Sequence, residues 1–197
     1  GMLTTKSKKL SKFVEHNRLH GLSKDAWKRF FPSKQKKSIY FYDVVSAGYK
    51  FNMPDINASI GISQFESINK FWIKRKMLYQ LYQKNLYKLP IILQKFDTSK
   101  VKHSYHLFLF HIDKNKTKKS RDELVSYLNA NNIGFGIHYR SINSMSFYKK
   151  KFLWNKKIAP ISYEVGNCTV SLPLYPHLTK NKVNFFSNKI KYFFEKV

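Results

Sequence analysis

The chain has 197 residues, 43% of them hydrophobic and 17% aromatic, with 37 Lys and Arg against 11 Asp and Glu for a formal charge of +26. That length holds one good-sized domain, or a small domain with the tail of another, and that apolar content excludes a disordered chain. No apolar run reaches the roughly 20 residues of a membrane-spanning helix, no signal peptide is expected from the Lys- and Ser-rich start, and the single Cys168 excludes an internal disulfide and fits a reducing, cytoplasmic compartment.

A charge of this size commonly marks nucleic-acid or anionic-membrane partners. Here the lysines are scattered from Lys6 to Lys196, and Lys, Asn, Ile, Phe and Tyr are abundant throughout. Codon bias of an AT-rich genome is the favoured account, and a binding surface is the other. Lys34-Gln35-Lys36-Lys37, Lys114 to Lys119 and Lys149-Lys150-Lys151 are expected in loops, where like charges cost little.

In chain order, residues 1 to 5 read as the end of a buried strand. Residues 6 to 19 read as a short helix with Leu10, Phe13, Val14 and Leu19 on one side, closed by His20-Gly21 as a glycine cap. Residues 21 to 47 are loop-like and aromatic, with Trp27, Phe30, Phe31, Tyr40, Phe41 and Tyr42. Gly48 to Gln64 is a glycine-led polar turn feeding a helix. Pro54 and Asp55 stand in its first turn, where free N–H groups and the dipole favour both. The three-to-four spacing of Ala58, Ile62, Phe65, Ile68, Trp72, Leu78, Leu81 and Leu86 carries that helix to about Leu89. Aromatic residues around several faces favour a core helix packed on both sides over a membrane-surface helix.

Leu89-Pro90 marks the best boundary. After it the pattern alternates: strand 103–112, a helix opened by a Ser120/Glu123 capping box, strand Ile133–Tyr139 with glycines that allow close backbone approach, a short helix over 158–167, strand Thr169–Leu174, and a last helix capped by Thr179 with Val183, Phe186, Ile190 and Phe193 on one stripe. The reading is an α/β, or α+β, unit on an open sheet. Its parts are residues 1–53, a linking helix over 54–89, and a small domain over 90–197.

Most chemical constellations fail. His103 and His106 on a strand would face opposite ways, and no Cys pair or H-E-x-x-H accompanies them, so no metal site is expected. Gly134-Phe135-Gly136 lacks the third glycine of a dinucleotide fingerprint. Cys168 reads as a buried small hydrophobe, and no Ser/His/Asp order proposes a triad.

Six segments occur in order: His20–Phe30, Gly48–Ala58, His103–Phe108, Arg121–Leu128, Asn132–Tyr139 and Ser171–Thr179. Together they resemble the DegT/StrS-type sugar-nucleotide aminotransferases, most of all those making 4-amino-4-deoxy-arabinose or related 4-amino sugars for lipopolysaccharide. The resemblance implies the C-terminal portion of a fold-type-I enzyme that uses pyridoxal 5'-phosphate. It would act as a homodimer and pass an amino group from glutamate to a keto-sugar nucleotide. By the same resemblance, the catalytic lysine and ring-binding aspartate belong before residue 1, so no catalytic residue is expected here and the chain alone is expected to be inactive.

The resemblance assigns Lys50 and Asn52, with Tyr49 nearby, to the cofactor phosphate of a partner subunit. A lysine and an amide suit an anion pocket, though Asn52 also fits simple turn-capping. His138 and Tyr139 would line the substrate side, against a satisfied interfacial histidine. His20, Trp27 and Arg29 would help hold the nucleotide sugar. The competing readings are a non-enzymatic remnant of such a gene and a basic nucleic-acid-binding module.

Overall fold

In the computed structural model, residues 2–22 and 43–195 are described. They form two compact units divided between Phe65 and Glu66. The element order is α1 (Lys8–Asn17), α2 (Asp55–Leu86), β1 (Ile91–Leu93), β2 (Phe108–Ile112), α3 (Arg121–Ala130), α4 (Ser146–Phe152), α5 (Pro160–Cys168), β3 (Thr169–Leu172) and α6 (Lys180–Glu195), with a 3-10 turn at Ile142–Ser144.

In the first unit, Ser7 caps α1 by accepting the Leu10 N–H at 3.3 Å. The helix is shorter than expected because Arg18 already caps it. His20 and Gly21 lie beyond the cap, both at positive φ (58° and 67°). They turn the chain so that Leu19 bridges to Lys50 and Leu22 to Val44. Residues 2 to 5 are exposed and join no ladder among the described residues, which corrects the expected buried strand.

Helix α2 begins after Pro54 and runs 32 residues. At about 100° per residue, Ile56, Ile60, Ile68, Phe65 and Ile62 spread over about 240° of the circumference, and all five are exposed, while Glu66, Ser59, Lys70 and Ser63 take the remaining arc. An apolar face this wide is built to be largely covered.

In the second unit the later part of α2 supplies Leu78, Tyr79, Tyr82 and Leu86 to a core. The sheet is antiparallel in the order β1-β2-β3, with Ile92 opposite His111, Phe110 opposite Val170 and Phe108 opposite Leu172. Burial alternates along β2. Phe108, Phe110 and Ile112 join the core, and Leu109 and His111 take the other face. The Phe108 ring meets Tyr82 at 4.6 Å and Tyr79 at 5.0 Å. Burial pushes the Tyr82 hydroxyl pKa upward, and that hydroxyl donates to the Pro173 carbonyl at 3.1 Å. Helices α3 and α6 close the core with Leu124, Leu128, Val183, Ile190 and Phe193.

The capping box forms in full. Ser120 Oγ accepts the Glu123 N–H at 3.2 Å, and the Glu123 carboxylate accepts the Ser120 N–H at 2.6 Å. Thr179 Oγ1 accepts the Lys182 N–H ahead of α6.

Three expectations on this unit are corrected. Residues 103 to 107 are not strand. His103 Nδ1 accepts the Tyr105 N–H at 3.0 Å, Tyr105 sits at φ 50°, and the His103 ring stacks on Phe96 at 4.2 Å, so this backbone turns instead of pairing. Ile133–Tyr139 makes only one bridge, Gly136 to Ser171, because the chain leaves the sheet at both sides of it. Lys149-Lys150-Lys151 lie within α4 rather than in a loop.

His111 predicts a pH response. Its Nδ1 is buried without a hydrogen-bond partner, and burial holds its pKa, like that of His103, below the ordinary 6.5. Between the folded and unfolded values the unfolded chain binds more protons, so stability is full above 6.5 and is lost as pH falls toward the depressed value. Glu123 and Asp97 also have lowered values, but they start from 4.5 and 3.8 and act in a more acidic window. The urea midpoint should therefore fall as pH drops from about 7.5 to about 5. The slope should flatten in His111→Gln, and an equal slope in both proteins would count against this origin.

Candidate functional site

The stretch Gly48 to Met53 owes its path to two glycines. A Cβ at Gly48 would stand 2.1 Å from the Gly21 nitrogen, and one at Gly21 would stand 1.9 Å from the Ser46 carbonyl oxygen. The two backbones thus touch where no side chain fits. The N–H groups of Tyr49 and Phe51 donate to the carbonyls of Asn17 and Arg18 at 2.6 and 2.7 Å, and the His20 N–H donates to the Tyr49 carbonyl at 2.9 Å. Asn17 also accepts from Ser46 Oγ at 3.1 Å, tying the turn to the end of α1.

Extended backbone sends alternate side chains to opposite sides. Tyr49 and Phe51 share one side and stack at 5.0 Å with rings 6° apart. By the same alternation Lys50 and Asn52 are expected on the other side, just ahead of the α2 N-terminus. Lys50 is exposed and makes no ion pair among the described residues. Asn52 Oδ1 is buried without a partner. His20 thus contributes its backbone to this turn, with Tyr49 and Lys50 beside it. Trp27 and Arg29 lie outside the described residues.

The second unit holds His138 and Tyr139, joined by a cis peptide. The His138 Nδ1 atom lies 2.5 Å from Ser171 Oγ, and Thr169 Oγ1 donates to the His138 carbonyl at 3.3 Å. Gly136 and Ser171 exchange both backbone hydrogen bonds, at 2.9 and 2.8 Å. A Cβ at Gly136 would lie 2.4 Å from His138 Cε1, so the glycine makes room for the ring. Tyr139 is exposed and meets the His138 ring edge-on at 4.8 Å. Thr169 and Ser171, both buried, are partners that sequence reading missed. The signal was faint: a glycine two residues before the histidine and a polar pair in an otherwise apolar strand.

A cavity of about 560 Å³ lies elsewhere in this unit, lined by Gln80, Gln83, Tyr87, Ile92, Phe96 and Asp113 among others, and none of the expected site residues borders it. Cys168 is buried. Among the described residues no three His, Cys, Asp or Glu side chains gather to hold a metal, and no helix is long and apolar enough to cross a membrane.

Spr1654 of Streptococcus pneumoniae, described as a sugar aminotransferase and solved in its PMP form, superposes with a TM-score of 0.83 at 24% identity, over 98% of this chain and 46% of its own. Helicobacter pylori PseC, an aminotransferase involved in the biosynthesis of pseudoaminic acid, gives 0.79 at 18% identity, over 98% of this chain and 48% of its own. These likenesses show an aminotransferase-type α/β fold.

The chain belongs to the DegT/DnrJ/EryC1/StrS aminotransferase family, whose profile matches residues 1–191. An uncharacterized protein of Methanocaldococcus jannaschii is 31% identical over 191 residues, 97% of this chain and 48% of that protein. The spore coat polysaccharide biosynthesis protein SpsC of Bacillus subtilis is 30% identical over 185 residues, 93% of this chain and 46% of that protein. The chain therefore spans about half the length of the curated relatives it matches. Aminotransferases of this family depend on pyridoxal phosphate, and Spr1654 is also known in its PLP form.

The residues at the first turn fit the phosphate of that cofactor. Lys50 supplies a cation. Exchanging the two ends of the Asn52 amide, which geometry barely distinguishes, would make the unsatisfied buried atom a donor, the polarity a phosphate needs.

Proposed function

We propose that these residues form the C-terminal portion of a pyridoxal-phosphate aminotransferase that moves an amino group from glutamate to a keto-sugar nucleotide in amino-sugar biosynthesis. Residues 1–53 are read as the tail of the cofactor-binding domain, 54–89 as the linking helix and 90–197 as the small domain. The active form is a cytoplasmic homodimer. The sugar is a 4-keto sugar of the type aminated for lipopolysaccharide. The name of the spore-coat relative supports a role in making an envelope polysaccharide.

The observation that carries the reading is the stretch 49–52 just ahead of α2, where Lys50 is exposed and the Asn52 amide holds a buried atom without a partner. When bound, pyridoxal phosphate supplies an electron sink for breaking bonds at the amino carbon. Lys50 and Asn52 hold its phosphate across the subunit interface, with Tyr49 flanking them. His138 and Tyr139 border the sugar, and His20, Trp27 and Arg29 bear on the nucleotide. None of the lysines in this chain is the one that attaches to the cofactor.

Pyridoxal phosphate followed by borohydride reduction tests this. Intact mass and peptide mapping should show only scattered, substoichiometric lysine adducts. One lysine modified to completion would overturn the assignment of the attaching lysine.

A further inference from the structure

We infer that Ser171 and Gly136 lock His138 in one tautomer, leaving its outer nitrogen as an acceptor for a hydroxyl of the sugar substrate. The tautomer follows from this chain alone, and the sugar rests on the aminotransferase reading above.

Ser171 Oγ touches two groups. It lies 2.5 Å from His138 Nδ1 and 3.1 Å from the Gly136 carbonyl oxygen. A hydroxyl has one proton to give and lone pairs to receive. If Ser171 donated to Nδ1, the contact with the Gly136 carbonyl would hold no proton. If Ser171 donates to that carbonyl, Nδ1–H donates to Oγ and both contacts are hydrogen bonds. Ser171 is only 3% exposed, so water is a poor substitute for the lost bond. The two-bond arrangement wins, and neutral His138 carries its proton on Nδ1.

The ring cannot easily turn away from this partner. Its carbonyl is held by Thr169 Oγ1, the Gly136–Ser171 backbone pair fixes the two walls, and its Cε1 edge lies over the bare Gly136 Cα. Nε2 has no hydrogen-bond partner among the described residues and is not enclosed. An imidazole so placed presents a fixed lone pair outward. A sugar ring offers hydroxyl donors to such a nitrogen. Ser171 is then a positioning residue, buried and out of reach of substrate, and His138 the substrate-facing one.

Nitrogen-15 spectra of histidine-labelled full chain, recorded where His138 is neutral, test the first part directly. The Nδ1–H pattern is expected in the wild type and in Ser171→Thr, which keeps the hydroxyl. Ser171→Ala should revert to the Nε2–H form that predominates in free histidine. A wild-type Nε2–H pattern overturns the inference without any variant, and so does an unchanged pattern in a folded Ser171→Ala.

Kinetics of the intact enzyme with a UDP-4-keto sugar test the second part. Ser171→Ala should raise KM for the sugar nucleotide about fivefold to tenfold, the factor one neutral hydrogen bond carries. KM for glutamate should hold, and Ser171→Thr should restore the loss. An unmoved sugar KM beside a changed tautomer overturns the substrate role of Nε2. No turnover of any keto-sugar nucleotide would sink the aminotransferase reading and the sugar with it, leaving the tautomer in place.

Discussion

Phe108→Ala should move the urea midpoint of the second unit down by about 2 M. The ring is fully buried, stacked on Tyr82 and packed edge-on to Tyr79, at the start of the central strand on the face that meets α2. Truncating a buried phenylalanine costs about 3–5 kcal/mol, the lost transfer energy plus the cavity left behind. With a urea slope of about 2 kcal/mol per M, the shift follows. Since whole domains are stable by only about 5–15 kcal/mol, the variant would sit near the edge of folding. The exposed Phe147 serves as a control, and its alanine variant should stay within about 0.5 kcal/mol of the parent. Equal shifts for the two variants would show that the core is not where the structure places it.

Gly48→Ala should loosen the turn that carries Lys50 and Asn52. The new methyl would meet the Gly21 nitrogen at 2.1 Å, the His20 carbonyl carbon at 2.5 Å and the Gly21 Cα at 2.8 Å. All three are backbone atoms, so no side chain can swing aside. Overpacking of this kind costs about 1–3 kcal/mol or more, equivalent to a factor of up to about 100 in local opening. The amides of Tyr49 and Phe51, bonded to the end of α1, should exchange with solvent faster by about that factor, while amides of β2 keep their protection. Unchanged protection at Tyr49 and Phe51 would mean the chain reaches this turn by another path.

What could be read in advance was local. The Pro54-Asp55 start of α2, the Ser120 and Glu123 box and the Thr179 cap depend on neighbours within four residues, and each appears in the structure. What failed was long-range. The segment Ile133 to Tyr139 has a strand's alternation, yet only Gly136 finds a partner, on the edge of β3 away from β2, because the chain leaves the sheet on both sides of that bridge. Strand β1 is three residues long and directly follows Pro90, too short for any pattern to register. The lysine run 149–151 looked like a loop because its charge masked the aromatic spacing along α4, where Tyr148 stacks on Phe152 and Phe147 meets both edge-on.

The site divided the same way. Family resemblance drew attention to His138, and Gly136 announced a close approach. The serine that faces the ring lies 33 residues on, and only folding brings it there.

The wide face of isoleucine and phenylalanine at the start of α2 sits on a chain with a large cationic excess. Coulomb repulsion between copies opposes the sticking that such a face invites, but it reaches only as far as the ion atmosphere permits, about 10 Å at 0.1 M salt and about 3 Å at 1 M. Raising ionic strength therefore removes the barrier while leaving the oily surface untouched. Colloidal behaviour then inverts the usual rule for basic proteins: dilute buffer disperses this polypeptide, and concentrated salt gathers it.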